Sequence, residues 1–162
     1  MLSQRSEKLR EGLRKEEDYS GWLVEQAAKL RGHCSDVDWD DIAEELEDMS
    51  NRERRELGSY LKQLLKHLLK WRFGPSQRSA SWRKTIRATR HEIEDLLEDS
   101  PSLKGALPDL LPKAYARALA DAADEMRLSR QQTSRLPQSC PWTFEELVSS
   151  DFWPQRARNF QE

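Results

Sequence analysis

No stretch of this 162-residue chain approaches the roughly 20 consecutive apolar residues that a membrane-spanning helix needs, and its mean hydropathy is −0.92. No membrane association is expected. The opening residues, MLSQRSEKLREGLRKEED, lack the apolar core and small-residue cleavage site of a secretory signal, so the expected location is cytoplasmic. Glycine is scarce, at six residues, and none builds a phosphate-binding loop. No serine sits in a nucleophile-elbow setting, and the Glu-x-x-His pairs of a di-metal carboxylate bundle are absent. Cys34 and Cys140 are the only cysteines and have no C-x-x-C spacing, so neither a zinc site nor a redox motif follows. Whether the two pair as a disulfide or serve as small apolar residues stays open. Period-two alternation and internal repeats are also missing, which leaves helices.

The chain is long enough for one domain. We expect an all-α, compact single-domain bundle of about five to six helices with a short C-terminal helix and tail. Residues 1–17 form a charged N-terminal arm, 18–154 the helical domain and 155–162 the tail. Trp22, Leu23, Ala27 and Leu30 recur at helical spacing from Tyr19 to Arg31, before Gly32. Asp38 can cap a helix carrying Trp39, Ile42, Ala43, Leu46 and Met49. Ser50 and Glu53 have capping-box spacing, which predicts a new, central helix from Ser50 to Trp71. Its wide leucine arc calls for more than one neighbour. Gly74-Pro75-Ser76 ends it, and an antiparallel helix runs from about Ser79–Ser81 to Asp99. Pro108 and Pro112 limit where the next helix begins, since proline is disruptive beyond a first turn. Residues 129–141 are expected to be loop, and Thr143 with Glu146 caps a short terminal helix.

Seven segments in order carry a family resemblance: Asp18-Tyr19-Ser20-Gly21-Trp22, the run Trp39 to Leu46, His67-Leu68-Leu69-Lys70-Trp71, Ser81 to Ile86, Leu96 to Leu103, Cys140-Pro141-Trp142-Thr143, and Asp151-Phe152-Trp153-Pro154. Together they resemble the bacterial domain-of-unknown-function family 29 from about Asp18 to Pro154. The resemblance implies a compact helical domain with no agreed activity. The charged arm before Asp18 lies outside the pattern.

Charge is segregated along the chain. Residues 35–49 hold eight acids and no base, and residues 57–91 hold nine lysines and arginines and no acid. A functional reading makes Lys62, Lys66, Lys70, Arg72, Arg83, Lys84, Arg87 and Arg90 a basic face. Within it Lys66, Lys70, Arg83, Lys84, Arg87 and Arg90 are the candidate polyanion-binding residues. The favoured structural reading pairs these bases with the acidic helix inside the bundle, helped by Glu92, Glu94 and Asp95. A net charge of −2 and a pI near 6.0 are poor for a protein that tracks phosphates.

Trp22, Trp39, Trp71 and Trp82 fall one to a helix and read as core anchors rather than a stacking platform, while Trp142 and Trp153 would pin the C-terminal segment. For catalysis the best available set is Glu44, Glu45 and His67, with Glu45 and His67 as the weak catalytic candidates. A hydrogen-bonded structural histidine is the favoured reading of His67. His33, Cys34 and Asp36 in one turn are a weak metal signal. No cofactor or metal site is assigned. By elimination the expected function is a non-enzymatic protein interaction or adaptor domain with a protein partner. Nucleic-acid binding through the basic face of residues 62–90 is the first alternative, an enzyme or metal site at Glu44, Glu45 and His67 the second, and a homo-oligomer is left open.

Overall fold

The computed structural model describes residues 13–32 and 39–155. It is all-α. Six α-helices follow in order among the described residues: α1 (Tyr19–Leu30), α2 (Trp39–Phe73), α3 (Ala80–Asp99), α4 (Leu107–Glu125), α5 (Arg130–Ser134) and α6 (Phe144–Val148). Two 3-10 turns, Pro75–Gln77 and Pro101–Ala106, link α2 to α3 and α3 to α4. None of these helices is long and apolar enough to cross a membrane. The expected cap at Asp38 and the His33, Cys34 and Asp36 turn lie outside the described residues. The chain divides into two compact units, Met1–Glu56 with Leu96–Ala106, and Leu57–Asp95 with Leu107–Glu162.

In the first unit α1 begins where Asp18, in extended conformation, accepts a hydrogen bond from the Gly21 N–H at 3.0 Å. The same carboxylate accepts from the Ser102 N–H and hydroxyl, at 3.2 and 2.8 Å, so one cap also fixes the Pro101–Ala106 turn against α1. Leu23 and Ala27 of α1, Ala43 of α2 and Leu103 supply buried apolar contacts.

Ser50 does not start a helix, contrary to the capping-box expectation. It lies within the 35-residue α2, and its hydroxyl is 2.5 Å from that of Ser20. Glu53, its expected capping partner, instead accepts a hydrogen bond from the buried Ser100 hydroxyl at 2.8 Å. Both side chains are taken up by contacts between elements. Helix α2 holds no glycine or proline before Gly58, so nothing breaks the ladder there.

The second unit is built on the leucines of α2. Leu57, Leu61, Leu64, Leu65, Leu68 and Leu69 are all fully buried, as are Ile86 and Ile93 of α3 and Ala118 and Ala122 of α4. Each such leucine stabilises the fold by about 1.5–3 kcal/mol relative to an exposed position. The wide arc therefore does serve two neighbours. Tyr60 reaches Glu92, and Lys70 reaches Trp82, so α3 runs antiparallel to this part of α2. Lys62 pairs with Asp121 and Lys66 with Glu125, so α4 runs parallel to it.

Two further expectations are corrected here. Helix α4 starts at Leu107 and contains Pro112. Proline at this sixth position leaves only the Pro108 carbonyl without its donor four residues on. Residues 129–141 are not all loop, because Ser129 and Gln132 form a reciprocal capping box that opens α5. Downstream, Thr143 and Glu146 cap α6 as expected. Tyr115 is buried, and its hydroxyl donates to the Pro137 carbonyl at 2.6 Å. Burial chiefly pushes its pKa up to about 12.

Candidate functional site

The three lysines of α2 are a structural ladder. Their four-residue spacing stacks them along one face, where acids on α4 meet them. Lys62 lies 3.0 Å from Asp121, Lys66 2.7 Å from Glu125, and Lys70 2.5 Å from the second oxygen of Glu125. Lys70 is buried, with its ammonium 4.2 Å from the centre of the Trp82 ring. Burial acts against the Glu125 charge, but hydrogen bonds and attraction from both lysines outweigh it and hold the pKa at about 2. Pairing within the fold was the favoured expectation for these bases, but the partners differ. They are Asp121 and Glu125 of α4, not the acids before Ser50. In the first unit one of those acids, Glu47, forms a two-pronged pair with Arg31, the residue that follows α1.

The arginines are arranged differently. Trp71, near the end of α2, is covered by two of them. Arg78 stacks 4.9 Å from the ring centre and donates from Nε to the Trp71 carbonyl at 2.8 Å, and Arg83 lies 5.7 Å from the same ring. Arg83, Lys84 and Arg87 occupy one exposed side of α3, whose start is set by Ser79 accepting the Trp82 N–H. No carboxylate among the described residues pairs with Arg78, Arg83, Lys84 or Arg87. Stacking on a buried indole fixes a guanidinium plane while leaving its edge donors outward.

Arg90 belongs to the interior rather than to this face. It is 4% exposed, donates to the Leu147 and Phe152 carbonyls at 2.8 and 2.7 Å, and lies 5.4 Å from the Trp153 ring. Its Nη1 is buried without a partner, and burial lowers its pKa. Trp153 in turn packs on Trp71 with ring centres 4.8 Å apart. Arg72 lies over Phe73 and Trp142, with a buried Nε that has no partner. Among the tryptophans only Trp71 and Trp142 are buried. Trp22, Trp39, Trp82 and Trp153 are half-buried, and cations lie over three of them: Lys15 over Trp22, Lys70 over Trp82 and Arg90 over Trp153.

The glutamate and histidine set is divided between the two units, Glu44 and Glu45 in the first and His67 in the second. Glu44 and Glu45 are exposed, and Glu45 pairs with Arg52 at 3.3 Å. His67 follows 22 positions after Glu45 in α2 and belongs to the second unit. His67 Nδ1 is 2.8 Å from the Gln63 carbonyl, and burial chiefly lowers its pKa, which suits a structural histidine. Among the described residues no group of three His, Cys, Asp or Glu side chains could hold a metal ion. Cys140 is a free, half-buried thiol whose pKa burial raises. In the first unit a cavity of about 380 Å³ is lined by Lys15, Glu16, Tyr19, Glu53 and Asp99. Burial raises the Glu53 pKa there, ahead of the opposing Ser100 hydrogen bond.

The sequence reading passed over Arg78 as a member of the face. Its charge was visible, but its stacking partner lies across the Gly74-Pro75 turn, where helical spacing says nothing about which side chains meet.

A family model for the domain of unknown function DUF29 matches residues 15–153. The chain belongs to this family. The DUF29 chain also resembles a crystal structure of an α-helical protein of unknown function from Rhodospirillum rubrum, with 24% identity and a TM-score of 0.69. That match covers 88% of this chain and 93% of the other, and at this identity it shows a shared fold. A comparison of the DUF29 chain with curated proteins gave no match.

Proposed function

We propose that this chain is a non-enzymatic interaction domain whose contact face is the cationic side of α3 with Arg78. The observation that carries the reading is a contrast between two sets of bases. Lys62, Lys66 and Lys70 have carboxylates within the fold, whereas Arg78, Arg83, Lys84 and Arg87 have none among the described residues. Exposed charges with no internal carboxylate, two of them held over the Trp71 ring, favour recognition of a complementary acidic surface. A protein partner suits the face better than nucleic acid, because a chain of net charge −2 gains little from counterion release once three of its bases are neutralised internally.

The test is affinity capture from native lysate with nuclease, comparing the wild-type chain with R83E/R87E. A stoichiometric protein that is held by the wild type and lost by the variant supports the reading. Capture that disappears on nuclease treatment transfers the face to nucleic acid, and capture unaffected by the charge reversal removes it from this face altogether.

A further inference from the structure

Within the reading of α3 as an interaction face, we infer that one partner of that face is a second copy of this chain, docked through the acidic first turns of α2. The two surfaces are complementary in charge and in spacing. Asp40, Glu44 and Asp48 are exposed, and at four-residue intervals they form one ridge along α2. None of the three has a hydrogen bond or ion pair among the described residues, although the Arg31 charge attracts Asp40 and Glu44 from a distance. Arg83 and Arg87 form a ridge of the same interval on α3, flanked by Lys84. At 1.5 Å per residue both ridges step by about 6 Å, so two helices laid side by side bring successive acids opposite successive arginines.

The acidic ridge belongs to the first unit and the basic ridge to the second, so the contact joins different surfaces of the two copies. Exposed ion pairs contribute little individually and are screened by salt. The association is therefore weak, fast and salt-sensitive, and it concentrates copies rather than forming a permanent dimer.

Sedimentation equilibrium of the full chain tests this. Wild type should associate at low salt and dissociate when salt is raised until the Debye length falls to about 3 Å. R83E/R87E, which keeps only the acidic ridge, and E44K/D48K, which keeps only the basic one, should each associate alone roughly tenfold more weakly or worse. An equimolar mixture of the two variants restores the wild-type pair of ridges, and the two reversed ridges are complementary as well, so it should recover a heterodimer. Circular dichroism of each variant confirms that the helices are intact. A monomeric wild type at low salt, or a mixture that stays monomeric, overturns the inference. The lysate capture described above can still succeed in that case, so failure of self-association and failure of the interaction-domain reading are separate results.

Discussion

Glu125 receives the ammonium of Lys70 at 2.5 Å, 55 residues away in sequence, and its other oxygen takes Lys66 at 2.7 Å. A single carboxylate at the end of α4 thus compensates two cations of α2, one of them 7% exposed. The folded-state pKa of about 2 lies below the ordinary 4.5, so the stabilisation is fully present above pH 4.5 and is lost as pH falls towards 2. Because the Glu125 side chain is 42% exposed, water screens the pairs, and their joint contribution is discounted to about 1–2 kcal/mol. E125Q should therefore unfold at lower urea than wild type at pH 7, and the gap should close as both are titrated below pH 4.5. A gap that stays constant down to pH 2 would assign the loss to packing rather than charge.

Much of this unit is legible from spacing. The leucine arc, the turn at Gly74-Pro75, and the lysines at 62, 66 and 70 all follow from helical periodicity. The acids that answer those lysines do not, although Asp121 and Glu125 have the same four-residue interval. Choosing α4 over the acidic start of α2 needs the parallel arrangement of α2 and α4, which is a property of packing. Capping signals divide in the same way. Thr143 with Glu146 and Ser129 with Gln132 close their boxes because nothing else competes for them. Ser50 and Glu53 have the same pattern but meet Ser20 and Ser100, residues distant in sequence. Local spacing reports what a side chain can do, and tertiary neighbours decide which option it takes.

Gly21 provides a test of the first unit. A Cβ added there would lie 2.6 Å from Asp18 Oδ2 and 2.9 Å from its carboxyl carbon. The backbone of Gly21 is ordinary helix, so the glycine is required by close approach and not by conformation. G21A must push the Asp18 carboxylate off the α1 cap and away from Ser102. Losing a cap of this kind costs about 1 kcal/mol, and the two hydrogen bonds to Ser102 raise the expected loss to roughly 2–3 kcal/mol. D18A should lose a similar amount, and the double variant little more than either, because both changes remove the same contacts. Additive losses in urea unfolding would refute the shared mechanism.

Arg90 gives the corresponding test for the C-terminal segment. The guanidinium spans two carbonyls, Leu147 at the end of α6 and Phe152 beyond it, while its plane lies against Trp153. That fork holds the residues that carry Trp153 onto Trp71. R90L leaves both carbonyls without their donors, at a cost of roughly 2–4 kcal/mol after allowing for relief of the unpartnered Nη1. R90K keeps the charge but has no planar fork to reach both acceptors. It should therefore behave more like R90L than like wild type. Hydrogen exchange localises the effect: amides of residues 149–155 should lose protection in both variants while the α2 leucines keep theirs. If R90K retained wild-type protection in that segment, charge alone would suffice and the two-carbonyl clamp would not be what holds Trp153 in place.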